Sequence, residues 1–280
     1  MNSFTRFSRW LAGDAAGNQQ APDPRDVNAM FEATLAQDPE SRPHYVWATL
    51  RAARSARDLG HDAVSVAEFG VAGGNGLLAL ERAADAAAGF VGIDVEVFGF
   101  DTGTGMPEPA DERDLPYLIR KGFFPMDEAA LRSRLAHAHL VLGPVGETVD
   151  RWRAARHPPL GFAAFDLDYY SSTVDALPLL GSGSDHLLPR VVCYFDDILG
   201  FAWSDFNGAR AAISDFNRDH DRRKVGGLHG LRFSLPPTEF SSSWPEKIFL
   251  AHLFDHPRYR DREGEVAQVW HDIHKLAGEP

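Results

Sequence analysis

Two short apolar runs in this chain empty into carboxylates. Gly161-Phe-Ala-Ala-Phe-Asp166-Leu-Asp168 is followed at once by Tyr169-Tyr-Ser-Ser-Thr173, and Arg190-Val-Val-Cys-Tyr-Phe195 by Asp196 and Asp197. If both runs are strands joined by a crossover, they lie side by side with their ends about 5 Å apart. Acids crowded so closely must take up protons or share a cation. Oxygen donors with no nearby Cys or His favour a hard ion such as Mg²⁺ or Ca²⁺. The plainer alternative makes Asp168 a helix cap and Asp196 and Asp197 solvated loop acids.

A second candidate site lies upstream. Glu68-Phe-Gly-Val-Ala-Gly-Gly-Asn-Gly76 ends one apolar run, and Asp101 ends the next, Val95-Glu-Val-Phe-Gly-Phe100. Glycines let the backbone turn tightly and approach a ligand closely, and a helix start behind them offers unpaired N–H groups. Asp101 stands at roughly the interval where an acid grips ribose hydroxyls in nucleotide-binding sheets. The turn alone has a purely steric explanation. With Asp101 it points to an adenosine-containing ligand.

These residues need a scaffold. Strand patterns at 63–69, 95–101, 139–143, 161–166, 190–195, 231–235 and 247–254 alternate with helical patterns at 77–88, 127–138, 149–155, 171–180 and 207–218. Such alternation predicts βαβ units, a doubly wound and mostly parallel Rossmann-like sheet, and an antiparallel addition where the last two strands meet without a helix between them. Ahead of it, apolar positions at helical spacing over 26–37 and a Pro43-initiated helix ending at Gly60 predict a helical N-terminal cap. The expected division is an arm and cap over 1–60, the arm docked through Trp10, and an α/β domain over 61–280. The Gly- and Pro-containing segment 102–126 reads as a lid.

Composition narrows the roles. The chain has 280 residues, 44% of them hydrophobic, which suffices for a sizeable core. A net charge of -12 argues against nucleic acid as a partner. The absence of a membrane-length apolar run and of a signal-peptide pattern at the N-terminus leads to the expectation of a cytoplasmic protein with no membrane partner. The single cysteine, Cys193, sits in a strand pattern as a structural thiol.

Five stretches, in order, resemble the macrocin O-methyltransferase (TylF-type) family of class I S-adenosylmethionine-dependent enzymes. They are Glu68-Phe-Gly-Val-Ala-Gly-Gly-Asn75, Phe98-Gly-Phe-Asp-Thr-Gly-Thr-Gly-Met-Pro-Glu-Pro109, Gly143-Pro-Val-Gly-Glu-Thr-Val149, Asp166-Leu-Asp-Tyr-Tyr-Ser-Ser-Thr173 and Phe195-Asp-Asp197. The resemblance runs from about residue 64 to 200 and implies O-methyl transfer to a hydroxyl of a small molecule, such as a sugar or natural-product intermediate. It implies S-adenosylmethionine held by Glu68, Gly70, Val71, Ala72, Gly74, Asn75, Asp101, Thr102 and Asp166. It implies a divalent metal, usually Mg²⁺, held by Asp166, Asp196 and Asp197, with Asp168 as general base. The family forms dimers and larger assemblies, which implies a homo-oligomer. Ser171 stands where the family usually has Glu, and Thr104 where a bulky residue often precedes the lid glycine. The chemistry fits: a hydroxyl is a poor nucleophile until a cation lowers its pKa and a carboxylate takes its proton.

Other classes compete. A nicotinamide oxidoreductase shares a glycine loop and Asp101, and Tyr117-Leu-Ile-Arg-Lys121 has the Tyr-x-x-x-Lys spacing of short-chain dehydrogenases. That pair falls too early in the sheet, and the turn departs from Gly-x-Gly-x-x-Gly. A haloacid-dehalogenase-like phosphatase needs its Asp-x-Asp on the first strand and a Lys between the two acidic motifs, and residues 169–195 contain none. A catalytically inactive cofactor-binding protein is the non-enzyme reading. His44, Tyr45 and Trp47 read as packing of the cap on the core or as pocket lining, Phe123, Phe124 and Met126 as lid packing or an acceptor wall, and Arg222-Arg-Lys224 as a solvated face.

Overall fold

The computed structural model describes residues 26–38 and 40–261. The arm over 1–24, with Trp10, lies outside the described residues. Helices α1 (Val27–Gln37) and α2 (Pro43–Asp58) lead into β1 (Ala63–Phe69), α3 (Asn75–Val91) and β2 (Asp94–Asp101). After the lid segment come α4 (Glu128–Arg134), β3 (His139–Leu142), α5 (Val145–Ala154), β4 (Leu160–Phe165), α6 (Tyr170–Ala176), β5 (Leu187–Phe195), α7 (Gly208–Asp219), β6 (Arg223–Gly227) and β7 (Ile248–Leu253). The strands form one seven-stranded sheet in the order β3-β2-β1-β4-β5-β7-β6. β7 runs antiparallel to both its neighbours, and the other adjacent strands are parallel.

Alternation along the strands divides the side chains between two buried clusters. Val64, Val66, Phe162, Ala164, Val192 and Tyr194 face α1, α2 and α3. Ala67, Phe69, Phe100, Phe165 and Phe195 face α5, α6 and α7. The last residues of β1, β4 and β5 and the next-to-last residue of β2 are all Phe, and their rings stack in a row: Phe100, Phe69, Phe165 and Phe195, with centroids 4.5, 5.2 and 4.8 Å apart. This ladder closes the core directly below the strand ends. By the same parity, Asp101, Asp166 and Asp196, one step further on, rise on the side of the N-terminal helices.

Three sequence expectations shift. The helix expected over 127–138 ends at Arg134, because the buried carboxylate of Glu81 captures the N–H groups of Ala136, His137 and Ala138 and holds them out of the helical path. The helix over 171–180 becomes 3-10 at Leu177–Gly181, where Pro178 lacks the N–H an α-turn requires. The strand expected near Leu231–Leu235 is a 3-10 turn at Leu231–Ser234, with Phe233 79% exposed. The edge strand is instead Arg223–Gly227, so the basic run is no solvated face. Arg223 donates to the carbonyls of Leu180 and Ser182 and pairs with Asp255, which fixes the strand against the body of the sheet. No helix among the described residues is long and apolar enough to cross a membrane.

Candidate functional site

The strand ends of β1, β2, β4 and β5 open into a cavity of about 680 Å³. Its walls include all of Glu68, Gly70, Val71, Ala72, Gly74, Asn75, Asp101, Thr102, Asp166, Asp168, Asp196 and Asp197. Strand order explains this gathering. β1 and β4 are central neighbours whose following helices leave on opposite faces, which opens a crevice between their ends.

The glycine turn is shaped by close approach. Gly70 has φ +88°, and a Cβ there would lie 1.8 Å from the carbonyl oxygen of Asp166, so the loop after β1 crosses directly over the end of β4. Asp101 fastens the same loop from the other side. One oxygen accepts the N–H of Val71 and of Ala72, each at 2.9 Å, and the other accepts Gly103 N–H at 2.7 Å. The Oδ1 oxygen, which accepts only from Gly103, keeps a further lone pair for a ligand. Thr102 Oγ1 donates to Gly105 O within the lid's first turn, and Asn75 Oδ1 accepts from Arg134.

Glu68 is the buried acid of this half, 1% exposed. Tyr45 of α2 donates its hydroxyl to Oε1 at 2.6 Å, while Oε2 is buried without a partner. Burial pushes the Glu68 carboxyl up to about 8, with Asp166 adding to the rise and the Tyr45 hydrogen bond opposing it. Arg42, the N-cap of α2, also lines the cavity. Burial disfavours its charge, and Tyr45, Glu68 and Asp166 more than offset that.

In the other half, carboxylate oxygens of Asp166, Asp196 and Asp197 lie within 4.8 Å of one another. Parallel pairing of Phe165 with Phe195 puts the acids side by side. Burial, then repulsion from Asp197 and Asp196, raises Asp166 to about 7. Asp168 and Asp197 form a half-buried pair. Asp197 Oδ2 accepts the Asp168 N–H at 2.9 Å, and both carboxyls are raised by burial and by neighbouring negative charge. Asp168 itself sits at φ +56°, a left-handed conformation that Asp tolerates better than most residues. Burial also raises Asp196, but hydrogen bonds from Lys247 and Tyr194 outweigh it and leave this acid below the ordinary range. The Lys247 ammonium is 2.8 Å and the Tyr194 hydroxyl 2.5 Å from Asp196 Oδ1, which leaves Oδ2 for another partner. An all-oxygen donor set with excess negative charge in a half-buried site fits a hard divalent cation.

Arg42 and Lys247 are absent from the residues that motif reading singles out. Both had a positional signal. Pro43 marks a helix start, which puts Arg42 at its exposed end. Lys247 immediately precedes β7, which runs antiparallel to β5 and so begins beside the end of that strand. Of the aromatic cap residues, Tyr45 packs on Phe162 and Tyr194 and Trp47 on Trp244, while His44 stacks on Tyr194 at 4.2 Å. The packing is thus real, and Tyr45 also reaches the site. Phe124 lines the cavity, whereas Met126 packs against the core. Tyr117 is 71% exposed, Lys121 pairs with Glu108 at the surface, and neither lines the cavity.

The lid is anchored from below. Asp114, fully buried, accepts the N–H of Ala110, the N–H of Ser171 and the hydroxyl of Ser171 at 2.7–2.8 Å. Arg113 lies 3.7 Å over the Tyr170 ring, whose hydroxyl donates to Asp215 on α7.

The strand order, the antiparallel β7 and the crevice at the β1 and β4 ends define the class I methyltransferase fold, here with helices packed ahead of β1. Among solved structures the chain is similar to the calicheamicin methyltransferase CalS11, with TM-score 0.53 and 20% identity over 89% of this chain and 90% of that one. An apo structure of CalS11, described as a TDP-rhamnose 3'-O-methyltransferase, gives 0.46 and 19% over 89% and 92%. The O-methyltransferase NovP gives 0.47 and 13% over 69% and 89%. No protein-family model and no curated protein matches the sequence.

Proposed function

We propose that this protein is an S-adenosylmethionine-dependent O-methyltransferase that uses a divalent cation, Mg²⁺ by its donor chemistry, to methylate a hydroxyl of a small molecule. The observation that carries the reading is the joining of two half-sites in one cavity: a glycine loop braced by Asp101 beside an orphaned Glu68 oxygen, and three converging carboxylates with Asp168 next to them. The finer assignment to the TylF-type group, with a sugar or natural-product hydroxyl as acceptor, rests on the motif resemblance. The likeness to CalS11, a calicheamicin methyltransferase, is in keeping with it. A cytoplasmic location and a homo-oligomer belong to the same reading.

The geometry supports the following roles. The first half-site binds the cofactor: backbone amides and Asp101 at the nucleoside side, and the buried Glu68 oxygen as acceptor for an ammonium group. Asp166, Asp196 and Asp197 hold the cation, which when bound lowers the pKa of a hydroxyl it contacts. Lys247 and Tyr194 fix the rotamer of Asp196. Asp168, with its raised pKa and its backbone pinned to Asp197, takes the acceptor proton. Phe124 and the anchored lid exclude water, and orientation of the hydroxyl towards the sulfonium methyl supplies much of the rate.

Calorimetric titration tests this directly. Adenosylhomocysteine should bind at one site per chain, and Mn²⁺ or Mg²⁺ should bind to the parent but not to Asp197→Asn. Binding of NADH in place of adenosylhomocysteine would overturn the reading.

A further inference from the structure

Seven carboxylates line the cavity: Glu68, Asp101, Asp166, Asp168, Asp175, Asp196 and Asp197. Against them stands one cation among the described lining residues, Arg42. Its position is fixed by α2, whose Tyr45, Val46, Ala48 and Leu50 are buried, whose Tyr45 ring packs on Phe162 and Tyr194 of the sheet and whose Tyr45 hydroxyl is bonded to Glu68. The guanidinium reaches the first turn of α3. A Cβ placed on Gly76 would meet Glu68 Oε1 at 1.8 Å and Arg42 Nη1 at 3.0 Å, so guanidinium, carboxylate and helix start converge on one point. α3 is 17 residues long and begins after Gly74 with no side chain capping it. The positive end of its dipole is therefore presented at the same place. The independent pointer to a ligand is Glu68 Oε2, buried and without a hydrogen-bond partner on this wall.

We propose that Arg42 receives the carboxylate of the cofactor's amino-acid end, making the N-terminal cap part of the cofactor site. This rests on the S-adenosylmethionine reading. That cofactor carries an ammonium and a sulfonium, which suit an acidic cavity, and one carboxylate, which does not. Arg42 with the α3 N-terminus is where an anion is tolerated, and Glu68 alongside takes the ammonium. A planar guanidinium matches a carboxylate in two-point geometry, which a lysine cannot reproduce.

The test compares three probes by calorimetry on the intact chain. These are adenosylhomocysteine, its decarboxylated analogue 5'-deoxy-5'-(3-aminopropylthio)adenosine, and 5'-methylthioadenosine, which lacks the whole amino-acid end. Arg42→Met should weaken adenosylhomocysteine by about 10- to 100-fold, the range of a charged hydrogen-bonded contact, and change methylthioadenosine less than about 2-fold. The parent should prefer adenosylhomocysteine over the decarboxylated analogue by a similar factor, and Arg42→Met should lose that preference. Arg42→Lys, which keeps the charge, should fall between. Equal weakening of all three probes, or of none, would overturn the proposal while leaving the cofactor reading standing. Failure of the parent to bind adenosylhomocysteine would remove the cofactor reading and this proposal together.

Discussion

Replacing Glu68 by Gln should stabilise the unliganded protein while weakening its ligand binding. Glu68 is buried and its carboxyl is raised to about 8 from an ordinary value of 4.5, chiefly by burial. In the unfolded chain the group is ionised at neutral pH, and in the folded chain it is protonated, so folding takes up a proton. The sign follows: stability due to this group is fully present below its unfolded pKa and is lost as pH rises through the folded pKa. At pH 7 the proton is taken up across a gap of about 2.5 pH units, a cost of about 3 kcal/mol that levels off above about pH 8. Relaxation and water entry around the group reduce this, so about 1–3 kcal/mol is expected at pH 7. Gln keeps an oxygen for the Tyr45 hydroxyl and never ionises. The variant should therefore match the parent near pH 5 and gain on it steadily to pH 8, by about 2–4 °C in Tm per kcal/mol. Denaturant unfolding at pH 5, 6, 7, 8 and 9 without ligand is the assay. Adenosylhomocysteine should then stabilise the parent more than the variant, because only the parent offers a carboxylate to the ammonium. A variant less stable than the parent at every pH, or a difference independent of pH, would refute the argument that burial holds Glu68 protonated.

Asp168→Asn should lower turnover by about 10²- to 10⁴-fold with cofactor and cation affinities nearly unchanged, once an acceptor is found by screening sugar and phenolic hydroxyls. Because burial and mutual repulsion raise Asp166 to about 7 and Asp197 also above the ordinary range, a cation must displace protons to bind. Mn²⁺ affinity measured by electron paramagnetic resonance should therefore climb from pH 6 to pH 8 and flatten beyond. Asp114→Ala removes the acceptor of three hydrogen bonds joining the lid to the start of α6. It should cost about 2–3 kcal/mol and open trypsin cleavage at Arg120 and Lys121, read by mass spectrometry.

Much of the glycine-loop half and of the acidic half of the cavity was legible because both are written as strand-end patterns. An apolar run that stops at Asp or Gly declares the end of a buried strand, and alternation of strands and helices brings such ends to one edge. Glu68, Gly70 to Gly76, Asp101, Asp166, Asp168, Asp196 and Asp197 are all of this kind, and each of them lines the cavity. The misread edge strand had the opposite character. Leu231, Phe233 and Leu235 alternate like a strand, yet Arg223–Gly227 wins the pairing with β7 through register and through the Arg223 anchorage, which local pattern does not carry.

The sequence alone determined which strand ends carry the acids, since burial of alternating apolar residues leaves the chain no other way to place them. Tertiary structure decided what those acids face. Tyr45 lies 23 residues from Glu68, Lys247 lies 51 from Asp196, and Ser171 lies 57 from Asp114. Contacts over such separations depend on how helices dock on the sheet and on the direction of β7. The raised and lowered pKa values, the anchored lid and the placing of Arg42 at the helix start are consequences of that docking.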